Sequence, residues 1–226
     1  MKTRIIRYEQ VSSTQETARE LALSGAGKGS VIIAEFQERG RGRHGRAWLS
    51  PRGGLYASII MRSDSLLPLR VGVAIARALR EVDICAMLKW PNDVLVRERK
   101  IAGILIEAVE QWAIVGVGVN MEQAPLATAT CVRGETSEAV TRDRLVRSIL
   151  KNLEGVLSGE IVEAYEALSA TIGREVRIEI EGAEGARVIC GRAIGIDRVG
   201  RLLVEAEGIC HTIISGECIH LRSPAV

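Results

Sequence analysis

Short apolar runs, separated by glycine, proline and charged clusters, fill the first half of the chain. Residues 4–11 read as a strand. Ser12-Ser13-Thr14-Gln15-Glu16 looks like a helix start, because Ser13 and Glu16 stand at capping-box spacing; the helix is expected to reach about Leu23 and stop at Gly25. Strand character returns over 31–37 and again from Leu55 to Met61. Residues 66–81 place Leu69, Val73, Ala76 and Leu79 at helical spacing, with Pro68 tolerated in the first turn. Pro91 keeps Trp90 extended and Pro91-Asn92-Asp93 is turn chemistry, so 87–96 reads as strand, turn, strand. A charged tip at 97–99 leads to strands from Lys100 to Val109 and from Trp112 to Val119.

From Met121 to Glu138 the pattern is lost, and a loop of that length inside a compact domain is often functional. Helices are expected over Thr141–Leu157 and Glu160–Ala170. Beyond Gly173 come five short β-patterned segments, near 174–180, 187–196, 201–206, 209–214 and 217–222, separated by glycines. They describe a small all-β barrel. The fold class is therefore α+β: a mixed β-sheet with helices over 1–171, then a barrel domain over 172–226.

Composition narrows this picture only locally. An apolar fraction of 47% suffices for a packed core, and a net charge of +2 gives no global case for nucleic acid or membrane as a partner. The N-terminus reaches charge within four residues, without a signal-type apolar block, and no apolar run approaches the roughly 20 residues that span a bilayer. Five cysteines without CxxC spacing fit a reducing compartment, so a cytoplasmic location is the default. Basic residues divide into 25 Arg and five Lys, and four of the arginines crowd one loop.

That loop is Gln37-Glu38-Arg39-Gly40-Arg41-Gly42-Arg43-His44-Gly45-Arg46-Ala47-Trp48. Three glycines in six residues permit close backbone approaches, and the arginines suit an anion. Gly40 to Gly45 literally fits G-x-G-x-x-G, but Trp48-Leu49-Ser50-Pro51 follows instead of a helix, which makes it a poor dinucleotide fingerprint. An arginine-rich loop beside Trp48 also admits a nucleic-acid reading, against which the basic cluster is compact and the remaining surface sequence mixed. Lys89 and Lys100 sit at apolar strands, where a lysine either snorkels or meets an anion. Cys210-His211 and Cys218-x-His220 do not converge as metal ligands, since strand neighbours point to opposite faces. No Ser-His-Asp arrangement or nucleophilic cysteine setting is apparent.

Together the motifs resemble the biotin–protein ligases over nearly the whole chain. Ser12-Ser13-Thr14 resembles the family's substrate segment, and Gly40-Arg41-Gly42-Arg43-x-Gly45-Arg46-x-Trp48 its GRGRxGRxW signature. Lys89-Trp90-Pro91-Asn92-Asp93 matches KWPND. Lys100 to Glu107 matches K-x-x-G-I-L-x-E, and Gly116-Val117-Gly118-Val119-Asn120 matches G-x-G-x-N. Ser215-Gly216-Glu217 resembles the family's SH3-like barrel. Gln15 stands where some members have Asn, and His44 where some have Arg. No helix-turn-helix segment precedes residue 1, so the short, ligase-only type is expected.

The resemblance implies a class II synthetase-like catalytic domain that forms biotinyl-5′-AMP from biotin and MgATP, then transfers biotin to a lysine of a biotin carboxyl carrier protein domain. It places Ser13, Thr14, Gln15, Gln37, Gly40, Arg41, Gly42, Arg43, Lys100, Gly103 and Gly116 at biotin. Arg41, Arg43, Arg46, Trp48, Asn92, Lys100 and Asn120 fall at the nucleotide, which loop 121–138 would cover. Arg43, Lys100 and Asp93 are its catalytic candidates, with Asp93 readable equally as a turn residue. No protein-bound metal, nucleic acid or membrane is implied, and a homodimer is expected because family members are often homodimers. A lipoate or octanoate ligase, which shares the general fold, is disfavoured by the pair GRGRxGRxW and KWPND.

Overall fold

The apolar runs of the first half assemble into one sheet. Strands β1 (Arg4–Val11), β2 (Ser30–Gln37), β3 (Leu55–Arg62), β4 (Met87–Lys89), β5 (Asp93–Val96), β6 (Arg99–Val109) and β7 (Trp112–Val119) lie in the order β1-β2-β3-β7-β6-β5-β4. This is a computed structural model describing residues 3–182 and 185–221, so Arg222, at the end of the last expected strand, lies outside the described residues. Only β1 and β2 are parallel, and helix α1 (Thr14–Leu23) supplies the crossover that a parallel pair needs.

Alternation along the strands builds two apolar layers. On one face Ile32, Ile60 and Ile114 pack with Ala18 and Ala22 of α1. On the other, Ile33, Ile59, Val115 and Val117 join the core that contains α2 (Leu67–Arg80) and α4 (Arg142–Val156). Helix α2 is apolar nearly all round, as a buried helix should be, and its Pro68 sits where no N–H is required. Its one buried charge, Arg70, is answered by Asp64 at 3.1 Å and by the Val156 carbonyl. Helix α4 buries Leu145, Val146, Ile149, Leu153 and Val156, and Thr141 Oγ1 caps it by accepting the Arg144 N–H at 3.2 Å.

Two expectations are adjusted. The helix read over Glu160–Ala170 is the short α5 (Val162–Glu166), because after a closing turn the chain leaves the helix to bond to the outer sheet edge. Leu88 N–H donates to Leu168 O, and Ala170 N–H to Leu88 O, both at 2.7 Å. The 121–138 loop contains one helical turn, α3 (Val132–Glu135), and runs beside the start of β6, where Thr130 N–H donates to Lys100 O at 2.9 Å.

The C-terminal segments form β8 (Glu175–Gly182), β9 (Gly185–Ile196), β10 (Leu202–Ala206), β11 (Ile209–Ile213) and β12 (Glu217–His220), an antiparallel sheet in the order β11-β10-β9-β8-β12. It curls over Val176, Ile178, Ala193, Leu202, Val204 and Cys218. Among the described residues its two outer strands do not pair with each other, so hydrogen bonds do not close the expected barrel. No helix among the described residues is long and apolar enough to cross a membrane.

Hydrogen bonds join the two sheets. Trp90 Nε1 donates to Gly200 O at 3.3 Å, and Glu166 accepts the Ile196 N–H at 2.9 Å. Thr171 Oγ1 lies 3.0 Å from His220 Nε2. Burial, then the cations Lys89 and Arg174, push the His220 pKa down to about 4 against the pull of Glu98. Unfolding restores the ordinary value near 6.5, so below it the unfolded chain takes up a proton that the folded chain refuses. Stability is therefore expected to fall as pH drops from about 6.5 towards 4, and His220→Gln should remove this part of the slope. Urea midpoints of both proteins at about pH 7 and about pH 5 measure it; equal slopes would contradict the assignment.

Candidate active site

The α1 face of the sheet is covered by the helix at one end and bare at the other. The bare part is made by glycines: Gly103 on β6 and Gly118 on β7 lie opposite each other in the ladder, and Gly116 follows on the same face. Beyond the N-terminus of α1 this leaves a cavity of about 190 Å3. Its deep end is a hydrogen-bonded cluster. Thr14 N–H and Thr14 Oγ1 both donate to Gln37 Oε1, at 2.8 and 3.0 Å. Ser58 Oγ stands 2.9 Å from Thr14 Oγ1 and 3.0 Å from Gln15 Oε1, while Gln15 Nε2 donates to Ile114 O at 2.9 Å.

The capping-box spacing of Ser13 and Glu16 is not used as a cap: Ser13 makes no side-chain bond to the helix, and Gln37 from β2 takes the Thr14 N–H instead. Ser13 Oγ, 1% exposed, has no partner among the described residues and lies on the cavity wall. A buried hydroxyl without a partner is costly, and a bound polar ligand would satisfy it.

The arginine loop forms the roof. Arg41 bridges to Ala47, Gly42 N–H donates to Arg46 O at 2.8 Å, and His44 and Gly45 turn the chain with φ of 53° and 70°. The loop closes at its base because Gly40 has no side chain: a Cβ there would stand 2.3 Å from Trp48 O and 2.5 Å from Ser50 Oγ. Ser50 Oγ accepts from Gln37 Nε2 at 2.8 Å and donates to Trp48 O at 2.9 Å, tying the loop to the deep cluster. The Trp48 indole lies flat on Gly103 and Gly118, with its buried N–H unpartnered among the described residues.

Three cations of the wall are held by carboxylates: Arg41 by Glu107 at 3.0 Å, Arg46 by Glu217, and Lys100 by Asp93 at 2.6 Å. Lys100 Nζ also sits 5.2 Å from the Trp48 ring centroid. Arg43 instead donates to Asn92 Oδ1 at 3.2 Å and Gly216 O at 3.3 Å. The Asn92 amide is oriented for this by its own donation to Ile104 O at 3.0 Å. Burial lowers the Arg43 pKa from its ordinary value, opposed by Asp93. The hydrogen bond from Arg46 lowers that of Glu217. Cys218, also on the wall, is pushed by burial up to about 11, so it is a neutral thiol near neutral pH.

The structure thus brings Ser13, Thr14, Gln15, Gln37, Arg41, Gly42, Arg43, Arg46, Trp48, Asn92, Asp93, Lys100, Gly103 and Gly116 around one cavity. Gly40 lies behind it, at the loop base. Asn120 also stands off the wall, donating to Thr130 O at 3.0 Å and holding the 121–138 loop against β6. Ser58, Gly118, Lys89 and Glu217 line the cavity too, beyond the expected site residues. Glycine spacing with Gly116 pointed to Gly118, and lysine scarcity to Lys89. Ser58 gave only a lone hydroxyl in an apolar strand, and Glu217 converges from the second sheet, which no local pattern reveals. Among the described residues no cluster of His, Cys, Asp and Glu could hold a metal ion.

Known proteins resemble the chain over most of its length. Residues 171–221 match the biotin protein ligase C terminal domain. The biotin–[acetyl-CoA-carboxylase] ligase of Mycobacterium tuberculosis is 34% identical, over 94% of this chain and 87% of that protein. The ligase of the same name from Paracoccus denitrificans is 33% identical, over 87% and 92%. A solved structure of the Aquifex aeolicus biotin protein ligase with biotin and ATP superposes with a TM-score of 0.83 at 32% identity, covering 99% of this chain and all of that one. Residues 8–120 match the biotin/lipoate A/B protein ligase family, and with these relatives the chain belongs to it.

Proposed function

We propose that the chain activates biotin with ATP and passes the biotinyl group to a lysine of a carboxylase carrier domain. The observation that carries this reading is the wall itself: Arg41, Arg43, Arg46 and Lys100 converge above a deep polar cluster containing an unsatisfied hydroxyl, with no activated nucleophile beside them. Such a site suits a reaction in which a substrate carboxylate is the nucleophile.

A biotin carboxylate oxygen attacks the α-phosphorus of MgATP, the bond to the β-phosphate breaks, and pyrophosphate leaves. Two unit anions 4 Å apart repel by about 4 kcal/mol at an effective dielectric near 20, so the site must neutralise charge. Arg43 and Lys100 do this between carboxylate and α-phosphate, with Arg41 and Arg46 around the phosphates, by positioning and electrostatics. Ser13, Thr14, Gln15 and Gln37 bind the biotin ring. Trp48 and Asn92 border the nucleotide, and Asn120 acts by holding the 121–138 loop. In the second step the carrier amine attacks the acyl carbon and AMP leaves with the electron pair. A cationic wall favours the neutral amine, whose ordinary pKa is about 10.4.

The chain is read as two units meeting near residue 171, supported by the separate sheets and the match of 171–221 to a C-terminal domain. A cytoplasmic location is supported by five free cysteines, and the absence of nucleic acid as a partner by the commitment of Arg41, Arg43 and Arg46 to the cavity. The homodimer rests on the resemblance alone.

Biotin-dependent exchange of labelled pyrophosphate into ATP tests the first step, with lipoate and octanoate as controls. Exchange with biotin alone is expected; exchange only with the other acids would change the substrate, and none at all would overturn the reading. Asp93→Asn should slow transfer from preformed adenylate about a hundredfold while adenylation falls less than about tenfold, if the carboxylate serves the incoming amine. Equal loss in both steps would leave Asp93 as the turn residue that orients Lys100. Arg41, His44 and Arg46 are exposed in the roof, so tryptic cleavage there is expected to slow when biotin and ATP are added together. Unchanged cleavage would count against closure over the adenylate.

A further inference from the structure

The β4–β5 turn bears Asn92, which holds Arg43, and Asp93, which holds Lys100. On one side the turn is tied to β6, with Asn92 O accepting the Ile104 N–H at 2.9 Å and Asp93 standing opposite Gly103; on the other it has only β4, an edge strand of three residues. Pro91 has no N–H, so the Trp90 amide is the last main-chain donor before Asn92. That amide donates to Thr171 Oγ1 at 3.1 Å, and the same oxygen stands 3.0 Å from His220 Nε2 on β12.

The chemistry gives this contact a direction. Thr171 is completely buried, and its hydroxyl has a single proton to donate. Its oxygen accepts the Trp90 N–H, and among the described residues the imidazole is the one acceptor in reach of its proton, which assigns the proton there. His220 can accept it because burial, Lys89 on β4 and Arg174 before β8 keep the ring neutral, against Glu98 in the β5–β6 turn. The ring proton then resides on Nδ1, the nitrogen 3.9 Å from Glu98 Oε2. Hydrogen bonding runs from the Trp90 amide through Thr171 to His220, and neither Thr171 nor His220 lines the cavity.

We propose that Thr171 and His220 are positioning residues, through which the C-terminal sheet sets the place of the Trp90–Asp93 turn and hence of Arg43 and Lys100. This rests on the activity proposed above and adds two residues to it. A shift of the turn moves the partners of both cations together, so the loss falls on turnover. The biotin pocket is held from the opposite flank, by Gln37 and Ser58, and is spared.

Thr171→Val keeps nearly the same volume and removes the hydroxyl; His220→Phe removes the acceptor, whereas His220→Gln retains one in its amide oxygen. In pyrophosphate exchange, kcat is expected to fall about tenfold in the Val and Phe variants, with the KM for biotin within about twofold, and Gln should restore most of the loss. Hydrogen exchange of the Trp90 amide, followed without substrates, should accelerate in Val and Phe and stay slow in Gln. Unchanged kcat with unchanged Trp90 exchange would overturn the proposal. So would kcat and KM worsening in step with the folded fraction in all three variants, Gln included. If the wild-type chain shows no biotin-dependent exchange, the activity reading fails; the Trp90 amide still decides whether the tether exists.

Discussion

The site depends on three side chains that are missing. A Cβ at Gly118 would lie 2.5 Å from Trp48 Cε2, one at Gly103 would lie 2.8 Å from Trp48 Cζ3, and one at Gly116 would lie 2.7 Å from Gln15 Oε1. All are inside van der Waals contact: bare Gly103 and Gly118 let Trp48, and with it the roof, rest on the sheet, and bare Gly116 makes room for Gln15. The Trp48 main chain is fixed at the base of the loop, its backbone N–H donating to Gly40 O and its carbonyl accepting from Ser50 Oγ. The glycines therefore set the height of the whole arginine loop above the strands, and the loop sets where its cations stand.

Holding cations this close is the second requirement, met by intramolecular carboxylates. Arg41, Arg46 and Lys100 form partly exposed pairs with Glu107, Glu217 and Asp93. Pairs of this kind contribute roughly 0–1 kcal/mol, because water competes for both partners. A phosphate entering the cavity competes for these cations against pairs that are only weakly stabilising, and it carries more charge than a carboxylate. The balance favours exchange of partners: the carboxylates keep the cations ordered without holding them against the substrate. Arg43 differs, resting on the neutral acceptors Asn92 and Gly216 O, so it presents its charge without displacing a carboxylate.

Most strands were legible because the sheet is apolar on both faces, and both long helices followed from the spacing of their buried positions. The site was legible where chemistry is compressed into local motifs, as in Gly40 to Trp48 and Lys89 to Asp93. What escaped depends on residues far apart in sequence. Ser13 has a cap's spacing, yet the helix takes its bond from Gln37, 23 positions from Thr14. Residues 167–170 have a helical pattern, yet the free edge of β4 takes the Leu168 carbonyl and the Ala170 N–H. Glu217 reaches Arg46 across 171 positions, a contact no window along the chain contains.

The same reasoning explains why a second sheet stands at the cavity. A loop rich in glycine and an edge strand of three residues are the parts of a fold that open most readily, and both carry site residues. Each is held from outside by one short strand. Successive side chains of β12 point to opposite faces, so Glu217 turns to Arg46 in the loop while Cys218 and His220 turn inward, His220 to Thr171 and the turn after Trp90. Four residues thus reach two mobile-by-nature segments at once, and the loop and the turn keep a fixed relation because one rigid ladder, β12 on β8, stands between them.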